Sequence, residues 1–253
     1  MSDKHENEIK TKGDTKKRQR LPRRDFLKKG GTAVAAVGVA GALSAGNLHA
    51  RGKSKTKKRL GMVIDLRRCF GCHGCSVACK AQNDVPLGVW RSWVITTEKG
   101  KYPNVKRQFL PVLCNHCENT PCAKGCPTSA IIHDENGIVQ QLEDRCIGCG
   151  YCIQTCPYKM RFKHPTKKVA NKCNFCSERL DQGLQPACVN TCNAKARTIG
   201  DLDDPNSEVS KLIANNPVKT LLPEQNTKPK VFYIGLDESM YEKRAASLEE
   251  RED

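Results

Sequence analysis

Aromatic residues are scarce in this chain, with 2 Trp, 5 Tyr and 6 Phe among 253 residues. A domain of this size usually fills its interior with aromatic and large aliphatic side chains, so something else must complete this core. Long hydrophobic runs are missing too. The most apolar stretch, Gly30 to Gly46, is short and laden with glycine for a membrane span. No second segment approaches spanning length, so the mature protein is expected to be soluble and held at a membrane only through partners. Acidic residues are the third shortage, 27 against 43 Lys and Arg, giving a formal net charge of +16. Such an excess invites a nucleic-acid reading. Residues 1–60 alone hold 17 Lys and Arg against 5 Asp and Glu, however, which leaves +4 for the remainder. No aromatic-interleaved basic stripe accompanies it, and nucleic acid is excluded as a partner.

Cysteine is abundant instead. The 16 cysteines fall in four groups of four, with none left over. Cys69, Cys72, Cys75 and Cys79 form C-x2-C-x2-C-x3-C, and Cys146, Cys149, Cys152 and Cys156 repeat it. Cys114, Cys117, Cys122 and Cys126 form C-x2-C-x4-C-x3-C. Cys173, Cys176, Cys188 and Cys192 form C-x2-C-x11-C-x3-C. A cubane [4Fe–4S] cluster offers four iron corners, each taking one thiolate, and the arithmetic fits four such clusters. A short loop wraps three corners, and the fourth cysteine of each run points to a neighbouring cluster, as in two-cluster ferredoxins. Cys79, Cys126, Cys156 and Cys192 are therefore expected to cross over. A zinc-stapled binding module is the weaker alternative, because structural zinc prefers two separated C-x2-C knuckles. Disulfides bridge such closely spaced cysteines poorly, and a catalytic thiol leaves most of them unexplained. With every cysteine in use, no open metal position remains for a self-contained reductase, so the chain is expected to be non-catalytic.

Cys126 and Cys156 are each followed by proline, as in the bacterial ferredoxin run, whereas Cys79 and Cys192 are followed by Lys80 and Asn193. The sequence thus favours a nested pairing, inner motif with inner and outer with outer, over a sequential one. An oxidised cubane with its thiolates carries about −2, so four of them bring the cluster-bearing part near neutrality or below it. His73 and His116 lie inside motifs already supplied with four cysteines and are expected beside the clusters or at the surface rather than on iron. Lys80, Lys159, Arg161 and Lys172 adjoin ligands, where a cation would raise cluster potentials, but each reads first as solvated surface charge. Trp90 and Trp93 read as packing residues.

The basic head has its own explanation. Pro22-Arg23-Arg24-Asp25-Phe26-Leu27 has the form of a twin-arginine export signal, followed by a weakly hydrophobic region with cleavage between Ala45 and Arg51. The twin-arginine translocase carries folded proteins with cofactors in place, which reconciles many thiolates with an oxidising periplasm. Residues 1–50 are read as the signal region, 51–60 as a basic linker, 61–198 as the four-cluster domain and 199–253 as a C-terminal extension. Met62–Asp65 alternates like a strand, Ser76–Asn83 suits a short helix, and strands are expected at 93–96 and 109–110. Ala130–His133 and Gly137–Gln140 flank an Asn-Gly turn and predict a hairpin. Ser207 is a plausible cap for a helix to Asn216, Val231–Ile234 is a strand, and Tyr241 onward is charged.

The order and spacing of the four motifs resemble the iron–sulfur subunit of dimethyl-sulfoxide-reductase-type molybdenum oxidoreductases, over residues 60 to about 238. The resemblance implies an α+β fold of two ferredoxin-like halves, each holding two [4Fe–4S] clusters, with motifs one and four paired and two and three paired by a pseudo-twofold. With crossover, the ligand sets are Cys69, Cys72, Cys75 and Cys192 (cluster 1) and Cys114, Cys117, Cys122 and Cys156 (cluster 2). The others are Cys146, Cys149, Cys152 and Cys126 (cluster 3) and Cys173, Cys176, Cys188 and Cys79 (cluster 4). Some relatives carry Trp at one such position and a [3Fe–4S] cluster; here every position is Cys. Implied partners are a molybdopterin-containing catalytic subunit and a quinol-linked membrane subunit. Cys114–Cys117, Gly200–Pro205 and Val231–Leu236 look most like the tetrathionate reductase branch, with polysulfide, thiosulfate, arsenate and dimethyl sulfoxide reductases as alternatives.

Overall fold

The computed structural model describes residues 57–237 and Met240. Arg23 and Arg24, the export segment, most of the linker and the charged tail from Tyr241 lie outside the described residues. Among the described residues no helix is long and apolar enough to cross a membrane.

Leu60–Asp65 forms β1, buried at every position. A run this apolar suits a strand covered on both faces. It pairs in parallel with β10 (Val231–Ile234), from Met62 opposite Val231 to Asp65 opposite Ile234, and antiparallel with β8 (Arg197–Asp201). A short β9 (Val218–Lys219) completes the order β8-β1-β10-β9. One face of this sheet, with Met62, Ile64, Val231 and Tyr233, belongs to the main core, which also contains Cys75, Cys117, Cys156, Cys173 and Cys188. The other face places Val63 and Ile234 against Val209 and Leu212 of α6 (Glu208–Asn215). The expected cap is present, with the Ser210 N–H donating to Ser207 Oγ at 3.1 Å. Strand β8 runs across the division drawn at 198/199, and β10 lies inside the sheet. The described part of the extension therefore packs into the same compact unit as the cysteine motifs, because its apolar strands complete the faces that β1 needs covered.

The remaining elements surround the cysteines. Helix α1 (Gly74–Gln82) carries the end of the first motif. Strands β2 (Ser92–Lys99) and β3 (Lys106–Leu113) form an antiparallel ribbon, tied to the main sheet by Tyr233, whose hydroxyl donates to the Pro111 carbonyl at 3.1 Å. Strands β4 (Ile131–His133) and β5 (Val139–Gln141) form the expected hairpin. Its turn differs from a two-residue Asn-Gly turn. Asp134 Oδ1 accepts from the N–H groups of Asn136 and Ile138, and Gly137 alone takes the left-handed conformation, at φ 68°. Four single-turn helices, α2 (Pro121–Lys124), α3 (Tyr151–Gln154), α4 (Ser177–Asp181) and α5 (Ala187–Asn190), and a small ribbon of β6 (Phe162–Lys163) with β7 (Ala170–Asn171) complete the set. Helix α1 packs against α5, and α2 against α3.

Asp65 turns the chain from β1 into the first motif. Its Oδ1 accepts from the Arg67 backbone N–H at 3.0 Å, and Arg67 Nη2 donates to Oδ2 at 2.8 Å. The Arg67 guanidinium holds the Asp65 carboxyl below the usual carboxylate range. A lowered pKa means that this contribution to stability is complete above the ordinary carboxylate pKa and is lost as pH falls through the lowered value. Asp65→Asn should therefore reduce the acid sensitivity of thermal unfolding and lower the melting temperature at neutral pH. Ser207→Ala should cost about 1 kcal/mol, read as a lower melting temperature with the visible spectrum unchanged.

Candidate metal centres

All four motifs enter through the same backbone device. The second residue after the first cysteine takes a positive φ in each: Gly71 (74°), His116 (45°), Gly148 (68°) and Phe175 (53°). A left-handed residue following right-handed or bridging ones turns successive N–H groups toward one concavity, which favours negative charge. Glycine is required at 71 and 148, where a Cβ would also meet Phe109 and the Lys168 carbonyl at 2.2 Å. At 116 and 175 the strain is held by packing. Both rings are fully buried and meet with centroids 3.8 Å apart. His116 Nδ1 accepts from the Val139 N–H at 3.1 Å, and burial holds the imidazole well below its ordinary pKa, hence neutral. His116 is thus a core residue joining motifs two and four, while His73 is exposed before α1.

The thiols gather across motifs. Cys69, Cys72, Cys75 and Cys192 line one cavity, and Cys114, Cys117, Cys122 and Cys156 line another. Asn83 Nδ2 stands 3.8 Å from Cys79 Sγ and 3.9 Å from Cys176 Sγ. Burial pushes the Cys79 thiol up to about 12, with Cys188 and Cys176 adding to the effect. Cys126 and Cys146 pack with Cys152, and with Cys122 of the second motif, in a smaller core cluster, while Cys149 is exposed.

Backbone and side-chain donors converge on these sulfurs. The residue four beyond the last cysteine donates its N–H to that sulfur at Ala130 (to Cys126, 3.3 Å) and Ala196 (to Cys192, 3.3 Å), and Met160 does so for Cys156. In motif one the helix continues, so the Asn83 N–H is spent on the Cys79 carbonyl, and its side-chain amide donates to that carbonyl at 3.0 Å while also facing the two sulfurs. Arg91 Nη1 donates to Asn83 Oδ1 at 2.6 Å, which fixes the amide with its nitrogen toward the thiols.

Burial is the main cause of the raised thiol pKa values, and thiolates of neighbouring motifs add to it. Cys75 acts on Cys188, Cys114 on Cys173, and Cys122 on Cys152. The four groups therefore follow one another in the order first motif, fourth, second, third. The two exposed cysteines, Cys72 and Cys149, belong to the two ends of that row.

The donor set suits an iron–sulfur cluster. Among the described residues no three His, Cys, Asp or Glu side chains close on a single metal ion; the thiols ring cavities with apolar walls such as Val94, Pro111 and Ala194. Buried polar atoms at the cavities lack partners among the described residues, namely Asn115 Nδ2 and Oδ1, Arg161 Nη2 and Arg197 Nη1. The reading of surface charge fails at two positions. Arg161 and Lys172 are buried, because the chain folds back over the motifs there. Lys80 instead binds the Pro86 and Val89 carbonyls at 2.6 and 2.9 Å and lies 4.3 Å from the Trp90 ring, while Trp93 packs on the core. Arg197 and Asn83 escaped the sequence reading. The shared interval Cys156-x4-Arg161 and Cys192-x4-Arg197 was the available signal for the former.

The comparisons agree with this chemistry. A family model described as a 4Fe-4S dicluster domain matches residues 105–202. The chain is 41% identical over 224 residues to the arsenate respiratory reductase iron-sulfur subunit ArrB of Shewanella sp. (strain ANA-3), covering 70% of this chain and 96% of that protein. It belongs to the family of iron–sulfur subunits of dimethyl-sulfoxide-reductase-type complexes. As such a subunit it binds [4Fe–4S] clusters and transfers electrons without being the catalytic chain. A tetrathionate reductase subunit of Salmonella typhimurium is 43% identical over 193 residues, covering 75% of this chain and 77% of the relative. Protein NrfC of Escherichia coli is 44% identical over 215 residues, covering 84% and 94%. The tetrathionate and NrfC alignments both run nearly residue for residue, whereas the arsenate alignment spans 224 positions to cover 70% of this chain and so contains longer gaps.

Hydrogen bonds to cluster sulfurs raise reduction potential by favouring the more negative state. Asn83→Ala should therefore lower the potential of the cluster nearest Cys79 and Cys176, and Arg91→Ala should do so more weakly by freeing the amide. Potentiometric electron paramagnetic resonance titration checks both.

Proposed function

We propose that this chain is the four-cluster electron relay of a periplasmic respiratory reductase, passing electrons from a quinol-linked membrane subunit to a molybdopterin-containing catalytic subunit. The observation that carries this reading is the unbroken row of four cysteine groups with one exposed thiol at each end. The clusters supply one-electron carriers when bound. The chain's own residues hold them apart at set spacing, exclude water from their inner faces and present Cys72 and Cys149 toward the two partners. Phe70 and Val77 are exposed near the first end, and Ile147 and Tyr151 near the other, as suits two protein docking faces.

The ligand sets are those of the crossed, nested arrangement, in two ferredoxin-like halves: Cys69, Cys72, Cys75 and Cys192; Cys114, Cys117, Cys122 and Cys156; Cys146, Cys149, Cys152 and Cys126; Cys173, Cys176, Cys188 and Cys79. The two cavities and the packing of α1 on α5 and α2 on α3 support this grouping. Export as a folded protein through the twin-arginine translocase, by way of Arg23 and Arg24, accounts for assembly of the clusters before arrival in the periplasm. Among acceptors, tetrathionate is favoured by the runs at 114–117, 200–205 and 231–236.

Two experiments test this. The spectrum of Cys126→Ser should match that of Cys149→Ser, with one shared cluster perturbed; a match to Cys122→Ser instead contradicts the crossover. The complex purified from its native membrane fraction should reduce tetrathionate with a viologen donor. Activity confined to arsenate, polysulfide or thiosulfate keeps the relay and removes the tetrathionate assignment.

A further inference from the structure

Three buried cations occupy the gaps between successive cysteine groups. Arg197, 3% exposed, lines the cavity of Cys69, Cys72, Cys75 and Cys192 and also acts on Cys188 of the next group. Arg161, 5% exposed, lines the cavity of Cys114, Cys117, Cys122 and Cys156 and also acts on Cys152 of the group beyond. Lys172 fills the middle gap, adjoining Cys173 on one side and Cys114 on the other, with Nζ bound to the Val139 and Cys173 carbonyls. Among the described residues no carboxylate bonds to either arginine. Arg197 Nη2 donates to Ser92 Oγ at 3.1 Å and Arg161 Nη1 to Gln141 Oε1 at 2.8 Å, while Arg197 Nη1 and Arg161 Nη2 are buried without a partner there. The two stand at the same interval after a crossing cysteine, five residues beyond Cys192 and five beyond Cys156.

A buried guanidinium without a carboxylate is costly unless other negative charge faces it. Thiolates and cluster sulfides on both sides are that charge. Reduction adds a further negative charge to a cluster, so a cation held beside it in a low-dielectric interior favours the reduced form. The influence falls with distance, so a cation in one gap acts mainly on the two clusters that flank it.

We propose that Arg197 and Arg161 each bridge two successive clusters through the guanidinium and raise the reduction potentials of that pair. The proposal rests on the four-cluster assignment above and adds to it a local charge for each terminal pair. It distinguishes these residues from the many exposed lysines, which solvent screens.

The test is a potentiometric electron paramagnetic resonance titration of the intact complex carrying Arg161→Gln or Arg197→Gln, with iron measured on each preparation. Arg161→Gln should lower the midpoints of clusters 2 and 3 and spare 1 and 4; Arg197→Gln should lower those of 1 and 4 and spare 2 and 3. Arg161→Lys and Arg197→Lys keep the charge at shorter reach and should move the same pairs by less. Unchanged midpoints at full iron content, or equal shifts of all clusters, overturn the proposal. Should the Gln variants lose iron, the Lys variants decide: retained iron with the smaller paired shift supports it, and loss of iron there too overturns it. A complex with fewer than four clusters before substitution fails the cluster assignment instead, and midpoints of the clusters present that ignore both arginines then fail the charge assignment separately.

Discussion

The binding of thiolates to iron in the interior is the interaction on which the rest of this structure depends. Most of the cysteines are buried, and burial pushes the Cys79 and Cys117 thiols up to about 12. Thiolates so placed are stable only when a metal cluster shares their charge. The same cysteines are core residues in the ordinary sense, packed with Met62, Leu110, Tyr158 and Tyr233. Folding and cluster assembly are therefore one process for this chain, and a small aromatic complement suffices because the cofactors fill the space that rings would occupy.

Placement follows from the same constraint. Each loop must curl tightly enough to present its sulfurs and N–H groups inward, which explains the left-handed residue recurring in all four motifs. Where glycine supplies it, a close neighbour fills the space; where His116 and Phe175 supply it, the two rings meet in a tilted contact that ties the second and fourth motifs together. That contact sits at the junction of the row, where Cys173 adjoins Cys114. Groups far apart in sequence thus become neighbours in space, with solvent reaching the thiols chiefly at Cys72 and Cys149.

Much of this was legible in the sequence because it is local. Cysteine spacing is a direct statement of chemistry, the Ser207 cap is a three-residue motif, and the alternation at 62–65 and the apolar run at 231–234 mark strands. What was not legible is long-range or depends on burial. Nothing near β1 announces that its parallel neighbour is β10, more than 160 residues away. Lysine and arginine letters do not say which side of the surface they occupy, so Arg161 and Lys172 read as solvated and Arg197 passed unnoticed. Asn83 was invisible for a different reason: its role depends on the helix continuing past Cys79, which redirects the backbone N–H and leaves the side chain to reach the sulfurs.

The most direct measurement is iron and acid-labile sulfide per chain in the anaerobically purified complex, corrected for iron in the other subunits. Four cubane clusters predict about sixteen of each on this chain, with the brown colour of iron–sulfur thiolate bands. A colourless protein holding a few zinc ions, or an iron content near half that value, would contradict the account.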